Sequence, residues 1–491
     1  MQKKKVIIIG GGIAGLCTGV YLQKNGFEVE ILEKHSVAGG LATAWTRQGY
    51  TFENCIHWLV GSKEGADLNA MWKEVFDIRK LDFFEDDIYQ VVEKGLERIV
   101  IYRDIDRLER EWLEKAPEDA PVIREFVRAV RKLAGFKMTA GDSALSRLAG
   151  AASMLPFLPM FAKHGKQTMG DWAARFKNPL LRNFFGSGLE KMSFIAIAFT
   201  LAWMTNRNAG YPIGGSPRMI GLIAYRFKEL GGKIRFNAGV ERILVESDRA
   251  VGVELAGGEK IAADIVVSAA DGHATIFDML GGRYLSDKLR KAYETFQLFP
   301  SYLQVSLGVG ADLRSEPGFL IRTLDAPLEI DPETRTDSLT YRVFHFDPTF
   351  APPGKTAVVV FLGTYNDGYW RSLREKDRPK YEAEKKRVSA SVIADFGKRF
   401  PAAKDKIEVV DVATPATVVR YTGNWRGSME GWLLTPATGM KALPYVLPGL
   451  SGFYMAGQWT NPGGGLPTGL MAGRAVSRMI CRDNRMTWRA D

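Results

Sequence analysis

The residues with the clearest chemical signature form a glycine turn near the start of the chain, between an apolar strand (residues 6–9) and a helix. Gly10 permits the tight turn, Gly12 lets a pyrophosphate approach the backbone, and Gly15 lets the helix pack against the strand. Free N–H groups and the helix dipole favour an anion at this helix N-terminus. Glu33 stands 23 residues after Gly10, close to the spacing of about 20 expected for an acid that binds a ribose hydroxyl. The pattern predicts an adenine dinucleotide site.

A second glycine pair, Gly39-Gly40, follows six residues after Glu33. The pair resembles the FAD-binding signature of flavoproteins of the glutathione reductase type, in the superfamily of phytoene desaturases, carotenoid isomerases and retinol saturases. In those relatives it runs along the pyrophosphate and the ribityl chain. Many of them carry an arginine directly after the pair, whereas this chain has Leu41, which removes one phosphate contact. The resemblance implies FAD rather than NAD.

Two later segments strengthen this resemblance. Residues 211–216 open a helix that leads through Gly231 to Val240, and in the family this is the return to the FAD domain, where the Val240 backbone meets the adenine. A glycine-rich loop follows a short strand near the C-terminus, and in relatives it closes over the isoalloxazine. Gln458 stands where those relatives often have an acid. The cofactor-binding residues implied by these motifs are Gly10, Gly12, Ile13, Ala14, Gly15, Glu33, Lys34, Gly39, Gly40, Leu41, Ala42, Val240, Gly457, Gln458, Gly465, Leu466 and Pro467.

The order of the motifs predicts an α/β fold, in which a Rossmann-type FAD-binding domain of the glutathione reductase type is interleaved with an α+β substrate domain. The FAD-binding domain is expected from residues 1–80, 205–280 and 415–491. Residues 81–204 and 281–414 are expected to form the substrate-binding domain, with a mainly helical, membrane-facing insertion. Two separate excursions from one nucleotide-binding fold predict a cavity between the domains, which is the usual place for a ligand.

Composition narrows the class of protein. The chain has 491 residues and 46% hydrophobic content, so it can bury a large core. The basic and then apolar N-terminus imitates a secretion signal, but the apolar run belongs to the first strand and the glycine turn. No apolar stretch of about 18 residues occurs, so no membrane-spanning helix is expected. Three cysteines without a CxxC motif favour a reducing compartment, and we expect a cytoplasmic protein.

The net charge of +10 and the isoelectric point of about 9.3 favour an anionic partner. No nucleic-acid recognition motif accompanies this charge, so an anionic membrane surface is the expected partner, bound peripherally. A predicted amphipathic helix, residues 122–136, has a basic face formed by Arg124, Arg128, Arg131 and Lys132. An uncharged segment, residues 148–161, follows it. Two interpretations stay open for this segment: an interdomain lid or core helix, and an interfacial segment where a lipid substrate enters.

Three side chains are candidates for catalysis. His57 lies in a segment similar to one near the flavin on the retinol saturase side of the family, and a pKa near neutrality suits proton exchange. The alternative is a histidine whose ring is satisfied by backbone groups. Tyr421 and Glu430 lie in a segment that resembles the one just ahead of the C-terminal flavin loop of the family, and the resemblance implies pocket positions for them. The other histidines share no spacing typical of metal ligands, so no metal site is expected.

Together these features predict an FAD-dependent oxidoreductase. The resemblance implies saturation, desaturation or isomerisation of carbon–carbon double bonds in a long lipophilic, carotenoid- or retinoid-like substrate. Only one dinucleotide fingerprint is visible, so we expect electron exchange with a quinone, oxygen or a protein carrier rather than with a bound nicotinamide. Two alternatives stay open at this point: a flavin amine oxidase, and a flavin-binding prenyl-lipid carrier without turnover.

Overall fold

The computed structural model describes residues 3–137, 152–186, 188–439 and 442–490. The strands, in chain order, are β1 (Lys5–Ile9), β2 (Glu28–Leu32), β3 (Ala44–Arg47), β4 (Tyr50–Glu53), β5 (Leu59–Val60), β6 (Phe83–Phe84), β7 (Ile88–Lys94), β8 (Glu97–Tyr102), β9 (Ala209–Pro212), β10 (Lys233–Arg235), β11 (Val240–Glu246), β12 (Arg249–Leu255), β13 (Lys260–Ala262), β14 (Ile265–Ser268), β15 (Ser301–Val309), β16 (Phe319–Asp331), β17 (Thr334–Val343), β18 (Thr356–Thr364), β19 (Ile407–Ala413) and β20 (Phe453–Met455). The α-helices are α1 (Ile13–Lys24), α2 (Asp67–Val75), α3 (Ile105–Lys115), α4 (Ala120–Ala134), α5 (Leu158–His164), α6 (Met169–Arg175), α7 (Pro179–Phe185), α8 (Phe194–Thr205), α9 (Gly215–Glu229), α10 (Asp287–Thr295), α11 (Asp367–Lys376), α12 (Arg378–Arg399), α13 (Pro415–Thr422) and α14 (Leu466–Asp483).

A five-stranded parallel sheet in the order β10-β2-β1-β14-β20 forms the centre of the nucleotide-binding half. Its central strand β1 is apolar and buried from Val6 to Ile9, as expected where both faces of a parallel sheet are covered. Val6 and Ile8 pack towards α1, α9 and α14, while Ile7 and Ile9 pack towards the small sheet β11-β12-β13. This arrangement confirms the predicted Rossmann-type fold. The strands come from three separate stretches of the chain, and each stretch falls within one predicted piece of the FAD-binding domain.

A second sheet has seven strands in the order β19-β15-β18-β17-β16-β7-β8. Its neighbouring strands are antiparallel except for β16 and β7, which run parallel. All nine residues of β15 are buried, and α12 covers one face through Val388, Val392 and Phe396. The strands β7 and β8 belong to residues 81–204, the first stretch outside the FAD-binding domain, for which the sequence predicts mainly helices. Their Val-, Ile- and Tyr-rich sequences complete the sheet of the second excursion, a pairing between stretches more than 200 residues apart that local patterns do not reveal.

The remainder of the first excursion is a helical layer around large aromatic side chains. Phe126 of α4 contacts Trp112, Trp172 and Phe185, so the apolar face of this helix is buried inside the protein. Residues 148–151 of the predicted apolar segment lie outside the described residues. Within the described ranges, no helix has both the length and the apolar character that crossing a bilayer requires.

Candidate active site

The glycine turn after β1 has the geometry of a phosphate cradle. Gly10 has a φ of +96° and donates its N–H to the Leu32 carbonyl oxygen at 2.8 Å, which ties the turn to β2. A Cβ at Gly15 would overlap the Gly10 carbonyl oxygen, so only glycine lets α1 start this close to the strand. No side chain caps α1, and its first turn holds no acidic residue. The helix therefore presents uncapped N–H groups and the positive end of its dipole, as an anion site needs.

The second glycine pair lies directly against the first turn. Gly39 donates its N–H to the Gly11 carbonyl oxygen at 2.9 Å, and Gly12 and Gly39 form a parallel β-bridge. Gly39 and Gly40 both have positive φ, at +131° and +61°. Ala42 returns its N–H to the Gly39 carbonyl oxygen at 3.0 Å, which closes a tight loop beside the start of α1. The predicted pairing of the two glycine motifs is therefore present in space.

Glu33 is buried and directed back into the first turn. Its carboxylate accepts the N–H of Gly11 and the N–H of His35, both at 2.7 Å. The backbone of residues 237–240 lies alongside, because Ala238 donates its N–H to the Glu33 carbonyl oxygen at 2.9 Å. Lys34 lies next to Gly239, one residue before the predicted adenine-contacting Val240. The residues predicted for the ribose and adenine thus lie together at one end of the turn.

The C-terminal loop reaches the same turn from the other side. Gly457 has a φ of +117°, and a Cβ there would lie 3.4 Å from the Ala14 side chain. The loop ends at Gly465, after which Leu466 and Pro467 begin α14, and Gly469 of that helix packs against Ile13. Two helix N-termini therefore converge where the flavin end of the cofactor is expected. The Gln458 amide donates to Asn424 Oδ1 at 3.0 Å, so in this structure it contacts a side chain of the protein.

These residues fit FAD. Three loops that need glycine for close approach surround the uncapped start of α1, and a buried carboxylate lies where a ribose is expected. The cofactor would be held by the first turn of α1, by Glu33 and Lys34 with Val240 nearby, by residues 39–42, and by the loop from Gly457 to Pro467. Leu41 gives this site no cation where many relatives have an arginine. The phosphate contacts are therefore left to backbone N–H groups and the helix dipole.

Glu430 lies beside the C-terminal loop. A Cβ at Gly464, whose φ is +59°, would overlap the Glu430 carboxyl, so the two are in direct contact. Among the described residues, this carboxyl has no hydrogen-bond or ion-pair partner. Burial raises its pKa from 4.5 to about 7. The charges of Glu53 and Glu430 add to burial in raising the pKa of the Cys55 thiol, so Glu430 also lies near the segment that carries His57.

His57 is surrounded by aromatic side chains where the nucleotide-binding core meets the helical layer. Its ring stacks on Phe319 at 6.0 Å between centroids and meets Phe361 edge-on at 5.5 Å, with Trp58 at 6.1 Å. Its Nδ1 is buried and has no hydrogen-bond partner among the described residues. Burial, helped by the charge of Arg342, lowers the pKa of His57 from 6.5 to about 3. The imidazole is therefore neutral at physiological pH.

The third catalytic candidate lies elsewhere. Tyr421 is 40% exposed near the end of α13, and its ring meets His35 edge-on at 5.0 Å. His35 follows the ribose-binding segment directly, so Tyr421 is placed at the dinucleotide end of the site. The structure brings His57 and Glu430 into one region and does not bring Tyr421 there.

Two buried charged residues of this region had no signal in the sequence. Glu53, at the end of β4, accepts hydrogen bonds from the Ser216 hydroxyl at 2.6 Å and the Ser216 N–H at 2.7 Å. It also accepts the N–H groups of Cys55 and Ile56, so it clamps the segment that carries His57 to the start of α9. The other, Arg342, occupies β17 and lies over the ring of Phe319. Each is an ordinary charged residue in a strand-like sequence, and only the tertiary fold makes it internal.

Comparison with known proteins agrees with this geometry. Residues 13–481 match the family described as flavin containing amine oxidoreductase. Prolycopene isomerase of Daucus carota is 25% identical over 502 residues, covering 97% of this chain and 80% of the relative. The 4,4'-diapophytoene desaturase of Methylomonas sp. is 24% identical, covering 99% of this chain and 97% of the relative. The inactive all-trans-retinol 13,14-reductase of Danio rerio is 25% identical, covering 84% and 74%. The predicted superfamily is confirmed.

Solved structures share the fold. An oxidoreductase from Methanosarcina mazei aligns with a TM-score of 0.61 at 18% identity, covering 96% of this chain and 99% of the other. Cyclohexylamine oxidase from Brevibacterium oxydans aligns with a TM-score of 0.59 at 14% identity, covering 98% and 100%. The match to a flavin-containing family confirms the predicted flavin cofactor, and the adenine dinucleotide turn identifies it as FAD.

Replacing Glu33 tests the dinucleotide end of the site. We expect Glu33→Ala to raise the Kd for FAD by about 10- to 100-fold, because it removes a charge-assisted hydrogen bond to the ribose and the support of the glycine turn. Equilibrium rebinding of FAD to deflavinated protein measures this. Glu30→Ala, on the same strand but paired only with Lys5 at 3.8 Å, is the matched control. Equal Kd values for wild type and Glu33→Ala would contradict the assignment.

The raised pKa of Glu430 predicts a pH-dependent cost in stability. Between pH 4.5 and about 7 the unfolded chain loses this proton while the folded protein keeps it, so folding becomes less favourable as the pH rises. Glu430→Gln removes that cost, and we expect it to stabilise the protein above pH 7 by up to about 3 kcal/mol, with no gain at pH 4.5. Urea unfolding at several pH values measures the difference. The exposed Glu97→Gln is the control, and a gain independent of pH would refute the raised pKa.

Proposed function

We propose, from the premise that the chain belongs to the flavin containing amine oxidoreductase family, that it acts on carbon–carbon double bonds of a long lipophilic, carotenoid- or retinoid-like molecule. One observation carries the proposal: Glu430, a carboxyl that burial raises to a pKa of about 7, touches the flavin loop and lies near Cys55 in the segment that carries His57. The desaturases and isomerases among the relatives support this substrate class. Saturation, desaturation and isomerisation would all use the same placement of Glu430 beside the flavin loop.

Glu430 is the group that exchanges a proton in this proposal. The chemistry that FAD supplies when bound is exchange of a hydride with carbon. A change in the number of hydrogens on a double bond also moves a proton at the neighbouring carbon. A carboxyl whose pKa lies near the working pH is effective both as acid and as base. Glu430 has that property because it is half-buried and desolvated, with no partner among the described residues.

His57 has a different role in this proposal from the one its resemblance implies. A ring with a pKa of about 3 holds no spare proton at neutral pH and is a weak base. Its neutral imidazole can still donate or accept one hydrogen bond in an apolar wall. We assign it to positioning, together with Trp58, Phe319 and Phe361, whose rings exclude water and offer flat surfaces to a conjugated chain.

Amine oxidation is the second candidate, and the family description and the fold shared with cyclohexylamine oxidase favour it. A specific observation disfavours it. The guanidinium of Arg342 is buried next to His57, with 3.4 Å between its Nη2 and the His57 carbonyl oxygen. A protonated amine entering the same aromatic region would meet a like charge in surroundings of low polarity.

We extend the proposal to two partners. Electrons not balanced within one substrate would pass to a quinone, to oxygen or to a protein carrier, since the chain has one dinucleotide fingerprint. The protein would also sit peripherally on anionic membranes, where lipophilic substrates dissolve. The outer part of the helical layer supports this, because Leu155 and Leu158 are 61% and 51% exposed close to basic side chains of α4 and α5.

The mass of the product tests the proposed reaction. We expect FAD-loaded protein, incubated with phytoene, lycopene isomers, retinol and retinoic acid with and without reductant, to change at least one of them. A gain of two hydrogens indicates saturation, a loss of two indicates desaturation, and an unchanged mass with altered retention indicates isomerisation. Glu430→Gln should reduce the rate of hydrogen transfer by ~10²–10⁴-fold, whereas Glu430→Asp should retain part of it.

His57→Gln keeps a neutral hydrogen-bonding group. It should reduce the rate of hydrogen transfer by less than tenfold, well below the loss expected from Glu430→Gln. An equal loss of rate in both variants would indicate that His57 acts as an acid–base group. No change in any polyene, combined with oxygen consumption on primary amines, would establish the amine oxidase alternative. Flavin binding without either reaction would favour the carrier.

Membrane association has its own test. Leu155→Asp with Leu158→Asp should weaken binding to anionic vesicles by about tenfold or more, because both exposed side chains would enter the acyl boundary. Phe157 is a poor target, since it is only 7% exposed and packs against Phe136. Vesicle flotation at low and high salt measures binding. Leu96→Asp, at a fully exposed leucine in the turn between β7 and β8, is the matched control, and equal flotation of all variants would refute this membrane face.

A further inference from the structure

Arg342 is a buried cation without an ion-pair partner among the described residues. The residue is 6% exposed, and no carboxylate of the described residues pairs with it. Its guanidinium has five N–H donors, yet its one hydrogen bond to the described residues is the long contact of 3.4 Å from Nη2 to the His57 carbonyl oxygen. Its Nε is buried and makes no hydrogen bond within the same part of the chain. An ionised group in this state is unfavourable unless something else satisfies it.

The neighbouring strand shows how this fold treats a buried arginine that has only a structural role. Arg322 of β16 is buried in the same sheet, and its Nε donates to both oxygens of Asp395 at 3.0 and 3.1 Å. Its Nη1 lies 3.4 Å from Glu93. Arg322 is therefore neutralised within the protein, whereas the part of the chain that the structure describes provides no such partner for Arg342.

A second cation lies close to Arg342. Arg103 is 8% exposed, donates from Nη1 to the Ala209 carbonyl oxygen at 2.9 Å, and has an Nε without a partner among the described residues. Burial first, and then the charge of Arg103, lower the pKa of Arg342 to about 10, so the Arg342 guanidinium remains charged at neutral pH. Glu53 is the nearby internal carboxylate, but its oxygens are occupied by Ser216, Cys55 and Ile56.

The unpaired charge lies at the aromatic wall of the candidate site. The Arg342 guanidinium is 4.6 Å from the centre of the Phe319 ring, and His57 stacks against the same ring. Trp58, Phe319 and Phe361 are all partly accessible to solvent. A long apolar chain that lies along these rings would bring its end within reach of Arg342.

We infer that Arg342 anchors a carboxylate at one end of the substrate, so that the substrate is a polyene acid and not a hydrocarbon. This inference rests on the proposed function and narrows its substrate class. The planar guanidinium matches a carboxylate with two parallel hydrogen bonds, which would satisfy the donors that the protein leaves unpaired. The anchored end fixes which double bond of the chain lies beside the flavin loop and Glu430. Arg342 is thus a specificity-determining residue.

Binding of a matched pair of probes tests the inference without turnover. The probes are cis-parinaric acid, a fluorescent polyene acid, and its methyl ester, titrated into FAD-loaded protein at pH 7.5. We expect the wild type to bind the acid at least about tenfold more tightly than the ester. Arg342→Met should weaken binding of the acid by about 10- to 100-fold and leave binding of the ester unchanged. The affinity of Arg342→Lys for the acid should lie between those of the wild type and Arg342→Met.

Arg335→Met is the matched control, since Arg335 lies on the same strand with a side chain that is 75% exposed. Equal affinity of the wild type for acid and ester, or binding of neither, would overturn the anchor. An equal loss of both probes in Arg342→Met would mean that Arg342 only supports the His57 segment. If Arg342→Met fails to fold, the comparison of acid and ester binding by the wild type still decides whether the anchor exists. An acid preference without any change in polyene products would leave the anchor standing and refute the proposed reaction.

Discussion

The close approach of three backbone turns to the start of α1 is the constraint on which the rest of the structure depends. Gly10, Gly39 and Gly457 all have positive φ, and each lies within contact distance of the first turn of this helix or of the turn preceding it. A side chain at Gly15 would separate helix from strand, and one at Gly39 would overlap the Ala42 carbonyl oxygen. These turns follow β1, β2 and β20, and β20 is more than 400 residues from β1 in the chain. The fold is interleaved because these strands must meet to form one cofactor site.

The chemistry depends on charges that the fold leaves unsatisfied. Some other buried ionic groups of the described residues are paired, as Arg322 is with Asp395, or hydrogen-bonded several times, as Glu53 is with Ser216 and the backbone. Glu430, beside the flavin loop, and Arg342, at the aromatic wall, have no ion-pair partner among the described residues. Polar groups removed from water without a partner lower stability, and for this reason we propose functional roles for both. The carboxyl is suited to proton exchange, and the guanidinium is suited to holding an anionic end.

The sequence revealed those parts of the molecule whose conformations only certain residues allow. Positive φ and close approach require glycine, so the cradle and its position at the ends of β1, β2 and β20 were predictable from spacing. The sheet edge formed by β7 and β8 was not, because its partner strand is more than 200 residues away. Arg342 gave no signal, because an arginine in a strand is usually exposed, and its burial follows from the central position of β17 in the seven-stranded sheet. Tyr421 and Glu430 are nine residues apart in one motif, but the end of α13 directs the tyrosine to the ribose side.

The anaerobic absorbance spectrum of the flavin during a single turnover is the decisive measurement. We expect a polyene to change the redox state of the bound flavin, by bleaching the oxidised form or by reoxidising the reduced form, or else to change its own isomeric composition while the flavin stays reduced. We also expect Glu430→Gln to slow this change without altering flavin content. Bleaching by primary amines alone, with every polyene inert in both redox states, would contradict a reaction on carbon–carbon double bonds.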